Sequence, residues 1–126
     1  MENIKNKTAL IIDDDSRNTF ALSNYLETLD MKTAIAENGE NAMSLLLNGL
    51  KPDIVLLDMM MPEMDGYETL EILKEYPSLK QIPVIAVTAR AMKGDREKCI
   101  DAGAWDYISK PIDLKTLQEK LVKWIA

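Results

Sequence analysis

Residues 54–66 read IVLLDMMMPEMDG. Four consecutive apolar residues run directly into a carboxylate, Asp58, and three methionines, a proline and an Asp-Gly turn follow. A short apolar run without polar alternation is the pattern of a strand covered on both faces. A core strand that ends on a charge implies a use for that charge, and the rest of the chain supplies the context.

Two further runs of this kind occupy residues 9–12 and 84–87, with weaker strand candidates at 32–36 and 105–108. Between them lie helical patterns. Leu22, Tyr25, Leu26 and Leu29 recur at three- and four-residue spacing, as do Leu114, Leu117, Leu121 and Trp124. Residues 41–48, 67–76 and 91–102 supply three more helices. Asp15 or Ser16 can cap the first helix and Asp113 the last. Pro83 opens the fourth strand, where a missing N–H is tolerated. Alternating strands and helices predict an α/β domain with a doubly wound, five-stranded parallel sheet in the order 2-1-3-4-5 and helices on both faces. The first and third strands then lie side by side at the switch point.

The chain has 126 residues, 47% of them apolar and 29% charged, which predicts a single globular domain over 1–126. A net charge of -6 argues against nucleic acid as a direct partner and against an anionic membrane surface. No apolar stretch is long enough to cross a bilayer, and a lone cysteine, Cys99, fits a reducing compartment, so a cytoplasmic location is expected. Cys99 lies in an amphipathic pattern and reads as a small core residue. Histidine is absent, which excludes His-based triads, His metal sites and a phosphohistidine carrier.

Open α/β sheets bind ligands outside the carboxyl ends of their strands. On that edge fall Asp13, Asp14 and Asp15 after the first strand, Asp58 after the third, Thr88 after the fourth, and Ser109, Lys110 and Pro111 after the fifth. Clustered carboxylates repel unless a cation joins them. Few protein ligands with retained waters suit Mg²⁺ better than a closed Ca²⁺ cage. A lysine and a threonine hydroxyl opposite the acids are what a bound anion with several oxygens needs. Each piece alone has a plain structural explanation as a cap, a turn hydroxyl or a loop. Their coincidence at adjacent strand ends describes a site for a phosphoryl group, with a central carboxylate as potential nucleophile.

These motifs resemble the response-regulator receiver domain over essentially the whole chain. LIIDDDS is similar to its acidic strand end, DMMMPEMDG to its phosphoacceptor loop, IPVIAVTA to its fourth strand and AGAWDYISKPI to its fifth. The resemblance implies a flavodoxin-like (βα)5 fold and a phosphoacceptor domain of a two-component or phosphorelay system. Asp58 would be phosphorylated from a phosphohistidine on a histidine kinase or histidine phosphotransfer protein. Asp13, Asp14, Asp58 and the Met60 backbone carbonyl would hold Mg²⁺, with Mn²⁺ as a possible substitute. Lys110 and Thr88 would contact the phosphoryl oxygens, Tyr107 would be the switch aromatic, and the Lys110–Pro111 peptide would be cis. The domain would catalyse its own phosphorylation and slow dephosphorylation without being a conventional turnover enzyme. Its output would be a shift in the face formed by the fourth helix, fifth strand and fifth helix. That face permits self-association without demanding it.

Four positions depart from the family pattern. Trp105 is expected on the side of Tyr107, either covering apolar surface beside the fourth helix or, with Tyr107, anchoring a partner. Met60 and Arg90 flank the expected path of the hydrolytic water and predict a long-lived phosphoryl group. The stretch DDDSRNTFALSNYLETLDMKTAIAENGENAM is similar to receivers of hybrid sensor histidine kinases. Asp30 replaces a common glycine there and tolerates a left-handed turn. With no output module after the fifth helix, the sequence fits either a single-domain response regulator or a receiver cut from a longer kinase. Two other classes compete: a Mg²⁺-dependent phosphohydrolase with an aspartyl nucleophile, and a receiver-like interaction module that is never phosphorylated.

Overall fold

In the computed structural model, which describes residues 4–60, 66–88 and 94–126, every predicted apolar run is a parallel strand. The elements are β1 (Thr8–Ile12), α1 (Ser16–Thr28), β2 (Lys32–Ala36), α2 (Gly39–Leu47), β3 (Ile54–Asp58), α3 (Gly66–Glu75), β4 (Val84–Thr88), α4 (Asp95–Ala102), β5 (Asp106–Ser109) and α5 (Leu114–Ile125). The sheet order is β2-β1-β3-β4-β5, as predicted.

Side chains alternate across the sheet and build two cores. Leu10, Ile12, Val55, Leu57, Val84 and Ala86 face the layer that includes α2, α3 and α4. Ala9, Ile11, Ile54, Leu56, Ile85, Val87 and Ile108 face α1 and α5, where Leu22, Leu26, Leu117 and Leu121 complete the packing. This two-sided burial is why the strands read as continuous apolar runs. Truncating a fully buried position such as Leu56 to Ala is expected to cost about 2–5 kcal/mol.

Caps set the helix starts. Asp15, not Ser16, caps α1, its side chain accepting from the Arg17 N–H. Asn38 accepts from the Asn41 N–H at 2.8 Å and starts α2 earlier than its apolar pattern suggests. Asp113 caps α5, accepting from the Lys115 N–H. Asp30 is left-handed (φ 62), as its place in a tight turn requires. Gly66 opens α3 directly against β3, where a Cβ would lie 2.6 Å from the Met59 Cα, so only glycine fits without moving backbone. Residues 91–93 of the expected fourth helix lie outside the described residues.

The expectation for Trp105 needs correction. β5 begins at Asp106, so Trp105 precedes the strand and is not bound by its alternation. Its ring meets Trp124 of α5 edge-on, at a centroid distance of 5.5 Å, whereas Tyr107 packs with the α2–α4 layer. The indole covers a neighbour on α5 rather than on α4.

Candidate functional site

The acid-bearing ends of β1 and β3 are adjacent because these strands pair from Ala9↔Ile54 to Ile12↔Leu57. Asp13 follows β1 and Asp58 ends β3, and each is only 5% exposed. Asp14 is exposed. Carboxylate oxygens of Asp13, Asp14 and Asp58 all lie within 4.8 Å of one another. The site therefore has two buried acids and one at its rim, a donor set that fits a hard divalent cation with part of its coordination left to water.

Local hydrogen bonds fix the two buried carboxylates. Asp13 Oδ1 accepts from the Asp15 N–H at 2.9 Å, and Asp58 Oδ1 accepts from the Met60 N–H at 3.0 Å. Their Oδ2 atoms share one cation: Lys110 Nζ stands 3.7 Å from each. Burial pushes the Asp13 carboxyl above its ordinary pKa. The Asp15 N–H opposes this, the negative charge of Asp58 adds to it, and Lys110 offsets part of it.

Lys110 is held from its backbone, its N–H donating to the Thr88 carbonyl at 2.7 Å, and the Lys110–Pro111 peptide is cis as expected. Thr88 is the buried last residue of β4, opposite Ser109. Strand alternation adds a division of labour. Asp58 is in phase with Leu56 of the α1/α5 layer, and Lys110 reaches both it and Asp13 directly, whereas Thr88 is in phase with Ala86 of the opposite layer. Tyr107 belongs to that second layer, half-buried, and burial with the nearby Asp95 and Cys99 raises its phenol pKa.

Of the predicted site residues, Asp13, Asp14, Asp58 and Lys110 converge, with Thr88 on the same sheet edge. The Met60 side chain points largely to solvent, 55% exposed, and Trp105 lies away from the acids at the other end of β5. Arg90 lies outside the described residues. Two features escaped sequence reasoning. One is a cleft of about 640 Å³ beside Asp13 and Lys110, walled by Asn18, Ala21 and Leu22 of α1 and by Pro111, Ile112 and Leu114. Its signal was faint: small and apolar residues one turn after the acidic cluster. The other is Asp106, a buried carboxylate that accepts from Lys120 Nζ at 2.9 Å, Trp124 Nε1 at 2.8 Å and the Tyr107 N–H at 2.8 Å. Nothing in the spacing of Asp106 marks it as buried.

An open parallel sheet with a cation-ready acidic crevice at its switch point defines the class. The family model for the response regulator receiver domain matches residues 9–122, and the chain belongs to that family. It is a receiver domain of the two-component and phosphorelay type. The chain is 36% identical to the polar-differentiation response regulator DivK of Brucella anthropi, covering 95% of this chain and 97% of that protein. It is 34% identical to the signal transduction histidine-protein kinase BarA of Escherichia coli K12, covering 93% of this chain but 13% of that protein. Among solved structures, the receiver domain of a sensor histidine kinase from Pseudomonas aeruginosa PAO1, with a magnesium ion coordinated in its active site cleft, superposes with a TM-score of 0.85. Identity to it is 30%, over 95% of this chain and 98% of that one.

Proposed function

We propose that this receiver accepts a phosphoryl group on Asp58 from a phosphohistidine of a histidine kinase or histidine phosphotransfer protein, in a Mg²⁺-dependent transfer. The observation that carries the reading is the convergence of Asp13, Asp14, Asp58 and Lys110 in one crevice. An Asp58 carboxylate oxygen forms a bond to phosphorus as the phosphorus–nitrogen bond breaks. The electron pair leaves with the imidazole, which takes up a proton.

Asp13, Asp14, Asp58 and the Met60 carbonyl would hold Mg²⁺, or Mn²⁺ in its place. When bound, that ion neutralises charge on the phosphoryl oxygens. Lys110 swings a short distance from its shared position to pair with a phosphoryl oxygen, and the Thr88 hydroxyl donates to another. Because Thr88 is in phase with the Tyr107 layer, its movement toward the site gives Tyr107 room to turn inward. The α4–β5–α5 face then shifts. Driving such an equilibrium from nearly all off to nearly all on takes about 5 kcal/mol of differential interaction, and charge-assisted contacts from Lys110 and Thr88 supply much of it.

The cleft beside Asp13 offers the donor protein an apolar wall of Ala21, Leu22, Pro111, Ile112 and Leu114 next to the acceptor. We read residues 1–126 as one cytoplasmic domain that does not contact nucleic acid, consistent with a net charge of -6, and that dephosphorylates itself slowly rather than turning over an external substrate. Trp105, 39% exposed, with Tyr107, is a candidate anchor for the output partner; Trp105→Ala leaving partner affinity and self-association unchanged removes that role. The phosphohydrolase alternative is not favoured. Met60 stands where its second acid would be needed, and the described acidic cluster contains no other member.

Intact mass after incubation with acetyl phosphate and Mg²⁺ tests the reading. One metal-dependent phosphoryl adduct is expected, absent from Asp58→Asn. An adduct that persists in Asp58→Asn, or none in the folded, metal-bound wild type with either acetyl phosphate or a phosphohistidine protein, overturns it.

A further inference from the structure

The helices are anchored unequally. α3 buries Gly66, Thr69, Leu70 and Leu73, whereas α4 buries only Cys99. The N-cap of α4 is Gly94, left-handed and without a side-chain cap. Such an element sits at the low end of local stability. Two of its ties lead to a single side chain on α3. The Tyr67 hydroxyl lies 3.7 Å from Cys99 Sγ, and Lys98 Nζ sits 4.8 Å above the Tyr67 ring.

Tyr67 is itself firmly placed. It follows Gly66, which abuts the backbone of Met59, and Met59 is both buried and the immediate neighbour of Asp58. A short, closely packed path therefore runs from the acceptor carboxylate through Met59 and Gly66 to Tyr67 and across to α4. It reaches α4 from α3, whereas the route through Thr88 and Tyr107 reaches it from β5, and the two meet at Cys99.

We propose that Tyr67 is a positioning residue for the switch: it latches α4 to α3 in the arrangement described here, and phosphorylation of Asp58 works against that latch. The proposal rests on the phosphoacceptor reading above. The contacts with Lys98 and Cys99 are individually weak, which suits a tie that must be released.

The test combines amide hydrogen exchange of the unphosphorylated full chain with its rate of adduct formation from acetyl phosphate and Mg²⁺. Tyr67→Leu should speed exchange in α4 about tenfold, the sum of two weak contacts, and leave α1 and α5 unchanged. Tyr67→Phe keeps the ring under Lys98 and should stay within about twofold of wild type, while Lys98→Met should show about a two- to fivefold increase. The adduct should form severalfold faster in Tyr67→Leu, because the competent arrangement is more populated. Unchanged α4 exchange in both Tyr67→Leu and Lys98→Met overturns the latch. Faster exchange with an unchanged or slower adduct rate reduces Tyr67 to packing and overturns its role in switching. Should Tyr67→Leu fail to fold, Lys98→Met decides alone. A folded, metal-bound wild type that takes no phosphoryl group from either acetyl phosphate or a phosphohistidine protein overturns the phosphoacceptor reading and the switching role, while exchange still decides whether Tyr67 holds α4.

Discussion

Asp106 and Asp13 are buried to the same degree, 4% and 5% exposed, and their carboxyls respond in opposite directions. At the start of β5, burial alone would raise the Asp106 pKa. Hydrogen bonds from Lys120, Trp124 and the Tyr107 N–H outweigh it and hold the carboxyl below its ordinary value of 3.8. At the carboxyl end of β1, Asp13 has one backbone donor, a second carboxylate beside it and a lysine at 3.7 Å shared with Asp58, and its pKa is raised. Burial does not distinguish a structural acid from a functional one. Remaining acceptor capacity does: the first carboxylate is saturated by the fold, and the second is left with demand that a cation can meet.

The contrast breaks most sharply on substitution. Asp106→Ala should lower unfolding stability by about 2–3 kcal/mol, below the cost at a fully enclosed pair because Lys120 is 24% exposed. Asp13→Asn without metal should cost nothing or stabilise slightly, since it relieves crowding. Denaturant titration checks both, and a large loss in Asp13→Asn would refute the assignment. Mg²⁺ should sharpen the difference. At tenfold over its dissociation constant it should stabilise wild type by about 1.4 kcal/mol. Asp106→Ala should keep that increment and Asp13→Asn should lose most of it, read as shifts in Tm.

Acid provides a smaller separation. A depressed pKa means that the Asp106 contribution is complete above its unfolded-state value and fades as pH falls from about 3.8 through the lower folded value. The stability difference between wild type and Asp106→Asn should therefore be constant near neutrality and shrink below about pH 4. A difference that grows on acidification would reverse the sign assigned here. The smallest effect concerns the exposed Met60. Met60→Asn offers a side chain that can orient water and should shorten the acyl phosphate lifetime a fewfold, measured by loss of the mass adduct. Equal or slower decay would remove Met60 from that role.

How much of this was legible in the sequence follows the same division. Strand order and the acidic edge were readable because parallel strands buried on both faces leave uninterrupted apolar runs, and their polar ends mark one edge of the sheet. The convergence of Asp13, Asp58 and Lys110 followed from that order. Asp106 was not readable: its burial depends on Lys120 and Trp124 of α5, which only tertiary packing brings to β5. Trp105 was misplaced because alternation was extended one residue beyond the strand. Tyr67 carried no signal of its own, since its contacts with α4 arise across two separate helices.

The edge-to-face pair of Trp105 and Trp124 has an optical consequence. These are the chain's two tryptophans, and they lie 5.5 Å apart with planes inclined at 78°. Indole emission and the indole bands of near-ultraviolet circular dichroism will therefore report a single place, the seam between β5 and α5. A chain could lose the order of β2 or α2 with little change in that signal, and a spectrum that looks native would certify one corner of the sheet.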